Sequence, residues 1–524
     1  MRTTRPELTR PKLDYPRVPY HGLLRRSVER TPDKWATVFH DRMLTFREIE
    51  GASNALANGL LSMGVGKGDR VALLMTNRPE YVISFQATSK VGGTVTPINP
   101  AYRSDEVEYQ LNDSNACVLI VHEERYPLVD EIRANLKTVK HILVIGSESP
   151  AGTVSWDALV REHPASPPPE VALDLERDLI ALPYSSGTTG LPKGVMLSHR
   201  NLVCNHIQCM SAARITQRDT LLMFLPFYHI YGSMLMGAAI GSGATLCIME
   251  RFDALTALSI TERYRVTLFY AVPPVLLGLI QMPELQRFDL SSVRYIMSGA
   301  APLPPEIARR MQELTGLLVL QGYGLTEASP LTHLNPVDNP ELVRMDSVGW
   351  AVADQIEEIV DVDDAAKVLG VDEVGELRIR GPQVMQGYWN APQETARALR
   401  DGWLYTGDIA RKDADGYVYI VDRKKEMIKY KGFGIAPAEL EALLHEHPAV
   451  ADCAVVPKRD PEAGEIPRAF VVRAAGVSIS EHELICFVAE RVATYKQVRL
   501  VTFIDAIPKN PSGKILRRVL KEQE

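Results

Sequence analysis

The sequence is poor in the features that mark several large protein classes. Six cysteines occur in 524 residues, none in a C-x-x-C pair, which excludes a disulfide-stapled scaffold and fits the reduced thiols of a cytoplasmic protein. Cys204 and Cys209, the nearest pair, read as packing. Positive charge is not in excess: 58 Lys and Arg against 65 Asp and Glu leave a formal charge of −7, which argues against a nucleic-acid binder. There is no internal repeat and no low-complexity tract. At the N-terminus Arg2, Arg5, Arg10 and Lys12 stand among prolines with no apolar stretch following, so neither a secretory signal nor an amphipathic transit helix is expected. One stretch, Leu221–Met249, lacks Asp, Glu, Lys and Arg and is long enough to span a bilayer. Pro226, His229, Gly232, Gly237, Gly241 and Gly243 interrupt it, and Ala244–Met249 reads as a buried strand. Two buried strands joined by a site-lining stretch and a short helix are expected there, with no transmembrane segment.

What is present is a regular alternation. Strand-like runs at Val71–Met75, Ala116–Val121 and His141–Ile145 alternate with helix-like Thr45–Met63, Pro79–Val91 and Arg103–Asn112. That alternation predicts an α/β protein with largely parallel sheets, and the length predicts more than one domain. Pro164–Glu170, with three successive prolines, reads as a loop between subdomains. The texture changes near residue 410. Gly416–Val421 and Lys425–Lys431 read as strands, Ala438–His445 as a helix, Ala451–Val456 as a strand, and Ser480 with Glu483 as a capping box opening another helix. A smaller α+β unit follows a hinge at Asp422–Lys425.

After the strand-like Asp178–Tyr184 comes Ser185-Ser186-Gly187-Thr188-Thr189-Gly190-Leu191-Pro192-Lys193-Gly194, with three glycines, four hydroxyls and a lysine. Glycines let backbone N–H groups approach an anion, and Lys193 adds a point charge. Most Ser/Thr/Gly clusters are plain loops, but this density after a buried strand points to phosphate. It is not the Walker pattern, because Gly194 rather than Ser or Thr follows Lys193.

Four further stretches follow in order: Gln321-Gly322-Tyr323-Gly324-Leu325-Thr326-Glu327, Gly402-Trp403-Leu404-Tyr405-Thr406-Gly407-Asp408, Asp422 through Gly432, and Pro508-Lys509-Asn510-Pro511-Ser512-Gly513-Lys514. The set resembles the adenylate-forming superfamily of acyl-CoA synthetases, 4-coumarate–CoA ligases, firefly luciferase and peptide-synthetase adenylation domains. The resemblance implies a large N-terminal domain over 1–422 of mixed, largely parallel sheets with flanking helices. It implies a hinge at 423–425 and a small mobile α+β domain over 426–524. The implied reaction joins a carboxylate to the α-phosphorus of ATP, expels pyrophosphate and passes the acyl group to coenzyme A, with Mg²⁺ required. Charge builds on phosphate oxygens, so cations and a metal matter more than an acid–base pair.

By resemblance, ATP is held by Ser185, Ser186, Gly187, Thr188, Thr189, Gly190, Lys193, Gln321, Gly322, Tyr323, Thr326, Asp408, Arg423, Lys425 and Lys514. Glu327 takes the metal, Thr326 the α-phosphate, and Asp408, in a turn after Gly407, the ribose hydroxyls with Arg423. Alone, Thr326-Glu327 is more often a helix start and Asp408 a turn former. Lys425 is the pivot, and Lys514, in a loop expected to be exposed, clamps carboxylate and α-phosphate. Leu225–Gly232 resembles an aromatic gate, with His229 and Tyr231 beside the acyl chain, although an isolated histidine in an apolar run is usually a core residue.

The acyl pocket is completed by Gly232, Gly299, Ala300, Ala301, Gly322, Pro330 and Leu331. Its glycines are expected to leave space and its apolar residues to offer no partner for a polar substituent. A medium or long acyl, or aryl-containing, acid is therefore expected over acetate or an amino acid. Lys429 is tied to acyl transfer, and Arg251, Lys431 and Gly432 to CoA contact. Gly434 departs from relatives that carry Gln or another polar residue there, which leaves an amine or a carrier-protein thiol open as acceptor. A catalytically silent nucleotide-binding protein is disfavoured by the intact Lys193, Glu327, Asp408, Arg423 and Lys514. A monomer or homodimer acting on small molecules is expected.

Overall fold

The computed structural model describes residues 10–185, 192–431, 433–510 and 513–523. Two large sheets with flanking helices make up most of the chain. The first runs Trp350–Ala351, Leu331–Leu334, Val319–Gly324, Tyr295–Ser298, Leu268–Ala271, Thr220–Met223, Thr245–Ile248, Trp35–Phe39 and Arg42–Thr45 across its width. Its middle strands pair in parallel, from Thr245–Ile248 through Val319–Gly324. The second runs Gly387–Tyr388, Lys193–Ser198, Leu179–Ala181, Thr94–Pro97, Arg70–Leu74, Ala116–His122, His141–Ile145 and Val154–Ser155. Parallel strands buried on both faces need continuous apolar runs, which is why these read as unbroken Val, Ile and Leu rather than as alternation.

Most predicted elements form within a residue or two, although the strand expected at Ala451–Val456 runs on to Asp460. Thr45 caps the helix Phe46–Ser62 in a reciprocal capping box with Glu48, and Ser480 does the same with Glu483 ahead of Glu481–Ala489. The Leu221–Met249 segment forms two buried strands flanking Ile230–Ser242, a 13-residue helix longer than expected. That helix is apolar all round because it is buried all round. Among the described residues, no helix is long and apolar enough to cross a membrane.

Three expectations need correction. Asp408 lies within the ten-residue strand Trp403–Lys412, not in a turn; Gly407, at φ +71°, bends the strand just before it. The run before the phosphate loop is strand only at Leu179–Ala181 and Tyr184–Ser185, because Pro183 cannot donate to the ladder. The charged second strand shortens to Ile428–Tyr430 because 424–427 close a turn, with the Glu426 and Met427 N–H groups both donating to the Arg423 carbonyl.

A small antiparallel sheet carries Trp403–Lys412 beside Val418–Arg423. Beyond it a separate apolar core begins at Ile428 and joins Leu440, Leu444, Val455, Val471, Leu484 and Val501.

Candidate active site

A cavity of about 560 Å³ opens where the strands Tyr295–Ser298 and Val319–Gly324, the strand pair around Lys193 and the C-terminal residues Asn510 and Lys514 converge. Of the expected residues, Ser185, Lys193, His229, Tyr231, Gly299, Ala300, Gly322, Tyr323, Thr326, Glu327, Pro330, Leu331, Arg423, Lys425 and Lys514 line it. Residues 186–190 and Gly432 lie outside the described residues. At the stem of the phosphate loop, Ser185 and Lys193 face each other across an antiparallel pair, as do Tyr184 and Gly194.

The charged part of the wall is an interlocked set. Thr326–Ala328 form a single 3₁₀ turn, and Glu327 is fixed through its carbonyl by the Met385 N–H and through Oε1 by the Tyr388 hydroxyl at 2.8 Å. Asp408 is only 3% exposed and is held by the Tyr323 hydroxyl and, at 3.2 Å, by Arg423 Nε. Burial pushes its carboxyl upward, against the pull of Arg423 and Tyr323. Asp408 therefore stands just behind the wall, with Thr406 and Gly407 in front of it.

Lys514 corrects an expectation: it is half-buried and lines the cavity, where a solvent-exposed loop was predicted. Its N–H donates to Asn510 Oδ1 at 2.8 Å and the Asn510 N–H returns a bond to its carbonyl at 2.9 Å. Burial, then Arg423, lowers its ammonium below the ordinary lysine value. At the cavity mouth Lys425 is pushed down to about 8, first by desolvation and then by Arg423 and Lys514, even though part of its side chain reaches solvent.

The other part of the wall is aromatic and apolar: Tyr231, Met234, Tyr270, Met297 and Leu334. His229 caps the helix Ile230–Ser242, its Nδ1 accepting from the Tyr231 N–H at 3.3 Å. Burial pushes the ring down to about 4, with Lys514 adding to the effect, so it is neutral at physiological pH.

The glycines do not leave open space. A Cβ on Gly299 would meet the Tyr231 ring at 3.0 Å and one on Gly322 would meet Leu334 at 2.8 Å, so the room they free is filled by those side chains. Gly232 does not line the cavity; a Cβ there would meet the Pro226 carbonyl oxygen at 2.2 Å, so it serves close packing. Nor is this wall without polar partners. The Tyr231 hydroxyl and Ser298 Oγ both belong to lining residues and are buried, with no hydrogen-bond partner among the described residues.

Gln321 and Ala301 do not line the cavity. Gln321 is buried behind it, its amide donating to the Met345 carbonyl at 2.9 Å. Arg251, Lys429 and Lys431 are exposed and away from the cavity, so the residues tied to acyl transfer are not gathered where Lys514 is.

Sequence reading missed Tyr388 and Glu394. Lys193 Nζ donates to Glu394 Oε2 at 2.7 Å and sits 5.7 Å from the Tyr388 ring centroid. The one signal was Gly387-Tyr388-Trp389 shortly before the helix-opening Pro392, a glycine–aromatic turn without the charge cluster that draws attention. A divalent cation fits this set. No group of three or more His, Cys, Asp or Glu forms a closed metal cage among the described residues, whereas Mg²⁺ takes one or two carboxylates and completes its shell with phosphate and water. Glu327 Oε2 is the oxygen that the Tyr388 hydroxyl leaves to it.

The sequence model of the AMP-binding enzyme family matches residues 24–389, and that of the AMP-binding enzyme C-terminal domain matches residues 439–514. The chain is 40% identical to 4-coumarate–CoA ligase 5 of Oryza sativa subsp. japonica over 91% of its own length and 89% of that protein. It is 35% identical to a long-chain-fatty-acid–CoA ligase of Bacillus subtilis (strain 168), over 98% and 96%. Its fold superposes on the anthranilate CoA ligase AuaEII in complex with anthranoyl-AMP with a TM-score of 0.89 at 30% identity, covering 97% of this chain and 96% of that one.

Proposed function

The chain belongs to the AMP-binding, adenylate-forming enzymes, acid–thiol ligases that use ATP, Mg²⁺ and coenzyme A, and we propose that its acid is an aryl acid carrying a hydroxyl or amino group. The observation that carries this reading is the pair of buried, unpartnered hydroxyls, Tyr231 and Ser298, in an otherwise ring-lined and apolar wall. A buried polar group left unpaired costs about 1–3 kcal/mol, which a substituent on the substrate recovers and an alkyl chain does not. A relative named for coumarate and a neighbour holding anthranoyl-AMP are similar in this sense.

In this reading the triphosphate lies between the phosphate-loop stem and Thr326-Glu327. Lys193 and Lys514 offset charge on its oxygens, and Thr326 donates to the α-phosphate. Glu327 would hold Mg²⁺, which would supply charge neutralisation to the phosphates. Asp408, oriented by Tyr323 and Arg423, takes the ribose hydroxyls. His229, neutral and fixed as a helix cap, borders the acid without exchanging a proton. The turn at Arg423–Lys425 is the hinge that brings Lys429 to the site for thioester formation once Lys514 withdraws.

The test is pyrophosphate release over a panel of acids with and without CoA, followed by mass analysis. Hydroxy- or amino-substituted aryl acids should exceed their unsubstituted parents, with octanoate lower and acetate lowest. Octanoate outperforming every aryl acid would overturn the substrate reading. One observation favours a second reading: Gly434 presents only Met427 Cε near its missing Cβ, at 3.0 Å, and so offers no polar side chain at a position that is polar in the family it resembles. An amine consumed in preference to CoA would establish amide formation instead.

A further inference from the structure

Two side chains of the stretch 388–394 reach the charged wall of the cavity. Tyr388 is paired through the ladder to the strand that begins at Lys193, with Val195 opposite it, and its N–H donates to Thr395 Oγ1 at 2.9 Å. It is therefore a fixed platform: its hydroxyl holds Glu327 and its ring faces the Lys193 ammonium. Glu394 comes from the first turn of Pro392–Ala398. Its Oε2 accepts from Lys193 and its Oε1 accepts from Arg397 at 2.6 Å.

We propose that Glu394 is a positioning residue that exchanges Lys193 with phosphate: the ammonium leaves Glu394 when triphosphate binds and returns to it as pyrophosphate departs. The inference rests on the proposed placement of the triphosphate beside Lys193.

Three features make the exchange easy. Lys193 is a single compact charge on a flexible stem, so carboxylate and phosphate compete for the same group. Its pair with Glu394 is partly solvated, at 23% and 32% side-chain exposure, so a competing polyanion displaces it readily. Arg397 stays with Glu394, so the carboxylate is not left unpaired when Lys193 goes. The Tyr388 ring offers the ammonium a favourable face throughout its short path. Glu394 thus weakens the hold on pyrophosphate and speeds its release. Its carboxyl is kept below the ordinary range chiefly by the Lys193 hydrogen bond, which keeps it charged and able to recapture the lysine.

The experiment is calorimetric titration of the full-length chain with magnesium pyrophosphate in the presence of AMP, and with AMP alone. Glu394→Gln should bind pyrophosphate about two- to fivefold tighter, the ceiling for a pair this exposed, with AMP affinity and melting temperature unchanged. In a Lys193→Ala background the same substitution should have no effect, because the gain passes through the lysine. Glu394→Asp, still charged but one carbon shorter, should shift affinity in the same direction by less, and serves as the test if the glutamine variant does not fold. Unchanged or weaker pyrophosphate binding, or a gain that survives Lys193→Ala, would overturn the exchange. A wild-type chain that binds no pyrophosphate would overturn both the exchange and the phosphate placement beneath it.

Discussion

Gly513 is the residue on which the arrival of Lys514 in the cavity turns, and Gly513→Ala separates the two half-reactions. Gly513 has φ +81°, and a Cβ built on it would lie 2.9 Å from Pro274 Cδ and 3.0 Å from its Cγ. The left-handed backbone costs an alanine about 1–2 kcal/mol wherever the loop keeps this shape. The contact costs about 1–3 kcal/mol more, because a proline ring cannot swing aside as a long side chain does. Under the proposed hinge rotation only the contact would distinguish the two domain arrangements, since an alanine there would meet Pro274 and Val272 only while the loop is seated. The seated population should therefore fall by roughly 5- to 150-fold, and adenylate formation with it, at 1.4 kcal/mol per factor of ten. Thioester formation from preformed acyl-adenylate should change by less than about twofold, because seating plays no part in it. Single-turnover pyrophosphate release and thioester formation, measured on one preparation, report both numbers. Equal losses in the two steps, or normal pyrophosphate release, would refute the reasoning.

Lys514→Ala should lower adenylation by roughly two to three orders of magnitude, the scale for one charge-stabilising donor, while the melt is unchanged because backbone bonds to Asn510 hold the loop. ATP affinity should fall as pH rises above about 8, where Lys425 in the free protein loses its proton and binding must take one up; Lys425→Met should abolish that limb, as titration at pH 7 to 9.5 will show. Tyr231→Phe and Ser298→Ala should each narrow the preference for a hydroxylated over an unsubstituted aryl acid by roughly 5- to 100-fold in kcat/KM, with the unsubstituted acid as well used as before.

How far the sequence reaches follows from the kind of signal each residue leaves. Strands and helices were legible because burial imposes periods and caps impose residue types, as at Ser480 with Glu483. The charged part of the site was legible because phosphate chemistry selects lysine, arginine and carboxylate in short ordered motifs. Asp408 was placed in a turn because a glycine–aspartate pair is turn-like locally, whereas the long ladder to Val418–Arg423 overrides that preference. The acyl wall was misread for a different reason. What the glycines at 299 and 322 do depends on side chains from other elements, Tyr231 and Leu334, which no spacing rule connects to them. Tyr388 and Glu394 were invisible because their partners, Glu327 and Lys193, lie 61 and 201 residues away.

The same cavity explains why closure and nucleotide binding belong together. Arg423, Lys425 and Lys514 converge on one wall: Arg423 lowers the proton affinity of both lysines and Lys514 that of Lys425, while Arg423 itself is held up by Asp408, Tyr323, Glu426 and Glu327. Bringing Lys514 in therefore works against like charge as well as desolvation. A triphosphate adds several negative charges to that wall, turning the repulsion into attraction and raising the lysines toward their ordinary values. Loss of pyrophosphate removes most of that counter-charge and restores the repulsion. Lys514 is then the group free to leave, since its backbone is tied within its own loop, to Asn510, and its ammonium has no ion pair among the described residues. If the proposed hinge rotation operates, the charge of the wall would set the order of the half-reactions: triphosphate would draw the C-terminal loop in, and loss of pyrophosphate would release it.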